Sequence, residues 1–104
     1  MKNNKITRIW HGTTKVEHAD EYLRYVEQTG LADYRCIDGN LSTKVLRRID
    51  GDICHFLTIT EWSSFESIKK FAGNDFEKAR YYEADKKYLL EFEETVTHYE
   101  TIEY

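Results

Sequence analysis

A chain of 104 residues, 40 % hydrophobic and free of proline, has the size of one domain, so residues 1–104 are read as a single unit. The net charge of −4 is spread over mixed signs with no basic stripe, which argues against nucleic-acid binding. The opening "MKNNK" leads into no long apolar run, so neither a secretory signal nor a membrane span is expected, and the cytoplasm is the expected location.

"ITRIWHG", residues 6–12, reads as a strand that carries Arg8, Trp10 and His11 where valines would pack more easily. "TTKVEHADEYLRYVEQTG" follows with a helical stripe at Val16, Ala19, Leu23 and Val26, a capping box of Thr14 with Glu17, and Gly30 past its end. After the irregular "LADYRCIDG", the runs "NLSTKVLRRI" and "ICHFLTITEW" flank "DGD". Asp50-Gly51 predicts a hairpin with a type I′ turn. Ser63, with Glu66 reaching back, caps a second helix whose inner face is Phe65, Ile68, Phe71 and Ala72 and whose end is Gly73. "NDFEKARYYEADKKYLL" predicts one or two short turns begun by Asp75, and "FEETVTHYETI" closes the chain as a strand. Cys36 and Cys54 fit no metal spacing and read as free thiols of a reducing compartment; alternation turns Cys54 and His55 to opposite faces.

The order strand, helix, strand, strand, helix, strand predicts an α+β, ferredoxin-like βαββαβ sandwich: a four-stranded antiparallel sheet, fourth-first-third-second, with both helices on one face. The aliphatic set of the third strand, His55, Leu57 and Ile59, is assigned to the helix side, and Cys54, Phe56, Thr58 and Thr60 to the other. On the first strand Thr7, Ile9 and His11 then face the helices, with His11 opposite His55. Glu94, Val96 and His98 of the last strand join them. Arg8 and Trp10 turn the other way, to a bare face that also holds Phe56, Leu46 and Tyr99 and is too apolar for water. A second copy is expected to cover it, giving a homodimer packed sheet to sheet. A slip of one residue inverts every one of these assignments.

Three histidines and a carboxylate on one face suggest a small-molecule site, although a single histidine in a strand is more often a hydrogen-bonded packing residue. No H-x-H or H-E-x-x-H spacing is present, so no metal is expected. Trp62, at the strand-to-helix corner, is either a packing wedge or a pocket wall. The "RYY" run Arg80–Tyr82 either closes a pocket or forms an amphipathic surface turn, and the arginines of "LRRID" read as lying on a solvated hairpin or salt-bridging across the dimer.

Together, "ITRIWHG", "ADEYLRYVEQTG", the hairpin at Asp50-Gly51, "HFLTITEWSSFESIKKFAG" and "LLEFEETVTHYE" resemble the antibiotic biosynthesis monooxygenase-like group of dimeric α+β barrels, over nearly the whole chain. The resemblance implies that fold, a homodimer, and a pocket between helices and sheet. The family it resembles spans several functions, and its members with known chemistry include cofactor-free oxygenases of electron-rich phenols and haem-degrading enzymes. Trp62 matches a tryptophan of the haem-degrading members, but no histidine lies between Trp62 and His98 to act as axial ligand, so haem is not expected. The resemblance therefore points to an oxidoreductase without cofactor, acting on a small aromatic or quinone-type substrate. His55 or His11 would be the catalytic base, and Trp62, Tyr81, Tyr82 and His98 would wall the substrate. Arg80 would hold its anionic oxygen. The competing expectation is a non-catalytic, stress-associated dimer that binds a small ligand.

Overall fold

The structure is a computed structural model that describes residues 5–79, 81, 85–93 and 95–104, without the side chains of Tyr34, Glu91 and Phe92. In chain order it forms β1 (Ile6–Lys15), a 3-10 turn (Val16–His18), α1 (Ala19–Gln28), α2 (Gly30–Arg35), β2 (Asn40–Asp50) and β3 (Ile53–Trp62). Then come α3 (Phe65–Ala72), α4 (Asp85–Tyr88), β4 (Leu89–Phe92) and β5 (Thr97–Glu100). Among the described residues no helix is long and apolar enough to cross a membrane.

The sheet is antiparallel throughout, ordered β2-β3-β1-β4, with β5 also paired to β1. This is the expected ferredoxin-like α+β arrangement, open at its edges, with the helices on one face. The fourth strand differs in being split. β4 pairs with Gly12–Thr14 and β5 with Ile6–Ile9, leaving Trp10 and His11 opposite a gap. Beside that gap Val96 N–H donates to the Glu77 carbonyl at 2.7 Å, and Lys78 forms an isolated antiparallel bridge with Thr95.

Several local expectations change. β1 runs on to Lys15, so Thr14 is a fully buried strand residue whose hydroxyl donates to the Lys15 carbonyl, and α1 starts without a side-chain cap. Gly30 starts α2 instead of ending a helix. Ser64, one residue later than expected, caps α3 by accepting from Ser67 N–H at 3.3 Å, and Gly73 ends it at φ 78°. In the hairpin Gly51 takes φ 61° while Asp52 keeps a negative φ, the pattern of a type II′ turn, which asks for glycine at the first central position alone.

The largest correction concerns the faces of β1 and β3. Cys54, Phe56, Thr58, Thr60 and Trp62 are the residues buried beneath the helices, together with Arg8 on β1. Phe56 meets Tyr22 of α1 edge to face, with ring centroids 5.1 Å apart, and Trp62 lies against Phe71 of α3. His11, His55, Leu57, Ile59 and Ile9 point to the open face instead. On the outer strands Val96 packs inward and Leu46 and Tyr99 are exposed, as expected; of the set Leu41, Val45 and Ile49 expected under the helices, only Val45 packs against the core, while Leu41 and Ile49 are exposed. The register of β1 against β3 is also shifted by two residues, pairing His55 with Thr13 and His11 with Leu57. Hydrophobicity separates the two sides of a sheet when one side meets water, and it fails here because both sides are apolar.

A candidate site beneath the helices

A cavity sits where the split in the fourth strand meets the junction of α1 and α2. Its volume is about 40 Å³, a narrow hollow that opens to solvent. The sheet supplies Arg8, Trp10 and Thr58 as the floor. α1 and its end supply Tyr22, Val26 and Thr29, and the later segments close the far side with Tyr81, Asp85 and Val96.

Strand parity explains the floor: Arg8, Trp10 and Gly12 alternate with outward residues, so all three face the helices. Gly12 has a specific job there. A Cβ at this position would lie 2.4 Å from the indole of Trp10, so glycine lets that ring fold flat along its own strand. The Trp10 indole N–H then donates to the Tyr81 hydroxyl at 3.2 Å, and Tyr81 in turn donates to the Glu93 carbonyl. Burial raises the Tyr81 phenol above its ordinary pKa.

Two charged groups border the cavity although almost no water reaches them. Arg8 is 2 % exposed; its guanidinium donates to the Lys78 carbonyl at 3.4 Å and stands 5.4 Å from the centre of the Phe71 ring, a cation–π contact. Asp85, 4 % exposed at the start of α4, accepts from the Tyr22 hydroxyl at 3.2 Å. Burial first, and the Asp85 carboxylate second, push the Tyr22 phenol far above its usual range. A cation, a carboxylate and two protonated phenols around an aromatic floor can bind an ionisable aromatic and move its proton.

The residues singled out in the sequence divide as follows. Tyr81 lines the cavity. Arg80 and Tyr82 lie outside the described residues, as does Glu94. Trp62 is a packing wedge: it is 0 % exposed in the core with Ile68 and Phe71, its indole N–H donating to the Thr60 hydroxyl at 2.8 Å, and it does not reach the cavity. His98 faces the helix side, but its ring is wedged between Phe65 and Phe76, centroids 5.8 and 5.4 Å away, and does not line the cavity.

His98 has a consequence for stability instead. Its Nε2 is buried with no hydrogen-bond partner among the described residues, and burial first, then the nearby Arg8 charge, lower its pKa from 6.5 to about 4. The native ring is therefore neutral where the unfolded ring binds a proton. Stability is level above pH 6.5 from this group and falls as the pH drops from 6.5 toward 4. Thermal melts across that interval are expected to show the decline, and His98→Phe, which needs no proton, is expected to flatten it.

His11 and His55, expected beneath the helices, do not line this cavity. They lie on the open face, where Nε2 of His11 is 3.1 Å from Nδ1 of His55 and Nδ1 of His11 pairs with the Glu93 carboxylate. Glu93 thus accompanies the two histidines on the open face, while His98 lies on the helix side. The histidine pair borders a groove with Leu46, Arg48 and Leu57.

No family model matches the chain, and no curated protein sequence does either. Solved structures do. One is a Nitrosomonas europaea protein provisionally named an antibiotic biosynthesis monooxygenase: TM-score 0.70, 11 % identity, covering 98 % of this chain and 94 % of that one. A Pseudomonas aeruginosa protein matches with TM-score 0.68 at 16 % identity over 99 % of each chain. SnoaB from Streptomyces nogalater, named a cofactor-independent oxygenase, matches with TM-score 0.61 at 14 % identity, covering 97 % of this chain and 94 % of that one. The chain has the fold of these proteins. Identities this low establish the fold and leave the activity to the residues of the site.

Arg8, Trp10, Tyr22 and Asp85 are the cavity residues that sequence reasoning missed in this role. A signal for Tyr22 was present: Tyr22, Val26 and Thr29 sit at i, i+4 and i+7 on one helical face, one residue around from the stripe chosen. Asp85 gave none, because an acidic residue opening a polar turn reads as solvated.

Proposed function

We propose that the protein is a cofactor-independent monooxygenase acting on a small aromatic or quinol-type substrate held in the cavity beneath the helices. The observation that carries this reading is a buried cation, Arg8, and a buried carboxylate, Asp85, bordering one aromatic-walled hollow. The fold shared with a protein named a cofactor-independent oxygenase supports it.

In this reading Trp10 and Val96 hold the ring, Asp85 takes the phenolic proton, and Arg8 stabilises the oxyanion in a site of low dielectric. The electron-rich anion passes one electron to dioxygen, and the radical pair combines into a peroxide anion on a ring carbon. The carbon-bound proton passes to the outer peroxide oxygen as the O–O bond breaks and the carbonyl forms, and the hydroxide released recovers the proton from Asp85 and leaves as water. Substrate and dioxygen thus become quinone and water with no outside reductant. Oxygen uptake is the test, run with one-ring and two-ring hydroquinones and isotopically labelled dioxygen. Uptake above the protein-free rate, with one labelled oxygen in the quinone, is expected. Uptake at the protein-free rate for every substrate overturns the reading, and thermal stabilisation by a hydroquinone without uptake favours the non-catalytic binding protein instead.

Two copies pair through the open face in the same reading. Ile9 lies beside Ile59 and Leu46 beside Leu57, with Leu46 49 % exposed, an apolar strip that a second sheet would cover. Light scattering is expected to give the mass of two chains for the native protein and of one for Leu57→Arg, which places a charge in the middle of the strip. A single-chain mass for the native protein contradicts the pairing.

A further inference from the structure

Three tyrosines touch one another behind the cavity. Tyr22, which lines it, has its ring centroid 5.6 Å from Tyr88 and 6.1 Å from Tyr25, and those two stand 5.9 Å apart. Aromatic packing alone would account for the contacts. It does not account for the hydroxyls: Tyr22 donates to the Asp85 carboxylate at 3.2 Å, and Tyr88 donates to the Glu21 carboxylate at 3.0 Å. Glu21 is exposed and Tyr25 half-buried, so the cluster runs from the hollow to the protein surface.

A phenol gives up an electron readily when a base stands ready for its proton, because the oxidised phenol is a strong acid. Both tyrosines have such a base. Tyr81 differs, since its hydroxyl donates to the Glu93 backbone carbonyl, which is no proton acceptor of comparable strength.

We propose that Tyr22 and Tyr88 form a relay that drains oxidising equivalents from the cavity to the surface. The oxidant is the substrate phenoxyl radical left behind when superoxide escapes without combining and carries the phenolic proton away from Asp85 as hydroperoxyl, so the purpose of the relay rests on the monooxygenase reading. The radical gains one electron from Tyr22 and becomes an anion, while the Tyr22 proton moves to the freed Asp85 carboxylate. Tyr88 then reduces the Tyr22 phenoxyl; Asp85 returns its proton to Tyr22, and Glu21 takes that of Tyr88. At the surface a soluble one-electron donor of the ascorbate class restores Tyr88, which recovers its proton from Glu21. The enzyme is thereby spared oxidation of its own cavity wall.

Pulse radiolysis with azide radicals tests this without substrate or dioxygen, so it reads out separately from turnover. Azide radicals oxidise indole preferentially; Trp10 is half-buried beside the cavity, whereas Trp62 is fully buried. The indolyl absorption is expected to convert into phenoxyl absorption at a rate independent of protein concentration. Tyr22→Phe, and Asp85→Asn, which keeps a hydrogen-bond acceptor but removes the base, are each expected to slow that conversion at least tenfold. Tyr88→Phe is expected to leave the conversion intact and to slow the quenching of phenoxyl by ascorbate several-fold. A change of less than twofold in the conversion for either Tyr22→Phe or Asp85→Asn overturns the relay.

Discussion

Trp62→Ala is expected to destabilise the fold by about 3–5 kcal/mol, the usual cost of emptying a large aromatic site in a core. For a domain of this size that is a fall of more than about 10 °C in melting temperature. Trp62 is 0 % exposed, and it joins the two secondary structures that meet at the corner: it ends β3 while its ring packs on Ile68 and Phe71 of α3. Its truncation also removes the indole N–H that the buried Thr60 hydroxyl accepts at 2.8 Å, leaving that hydroxyl only its own donation to the Arg8 carbonyl. A wall residue of a cavity would behave in the opposite way, losing ligand affinity with little loss of stability. Thermal or urea melts decide between the two roles.

Asp85→Asn is expected to lower kcat for hydroquinone oxidation by roughly a hundredfold or more, the scale of a lost general base, with KM little altered. The substitution keeps size and an oxygen that can accept from Tyr22, so the cavity keeps its shape while the proton acceptor is lost. Arg8→Met should differ in kind. Its loss weakens the hold on the oxyanion in both the bound and the reacting state, so KM rises along with a fall in kcat. Steady-state oxygen uptake for the two variants separates the roles. Equal effects of both on KM alone would leave Asp85 as a binding group.

The topology was legible in the sequence because punctuation specified it. Asp50-Gly51 set the hairpin, Gly73 ended α3, and the strand and helix periods gave the order of elements. The faces of β1 and β3 were not legible from hydrophobicity, since Ile9, Leu57 and Ile59 on one side rival Phe56 and Trp62 on the other. Trp62 itself carried the missing information. A tryptophan entering the turn to α3 must lie under that helix, and strand alternation then brings Thr60, Thr58, Phe56 and Cys54 to the same side. Arg8, Trp10 and Gly12 follow through their pairing with Thr60, Thr58 and Phe56. The meeting of Tyr22 with Asp85 spans 63 positions of chain and depends on a short helix after the edge of the sheet, so no local pattern announces it.

The most direct measurement is a titration of nitrogen-15-labelled protein with a hydroquinone under argon, followed by chemical shifts. Ligand in the cavity is predicted to move the indole N–H of Trp10 and the amides of Thr29, Gly30 and Thr58. Shifts confined to His55, Leu46 and Leu57 on the opposite face of the sheet would contradict the account.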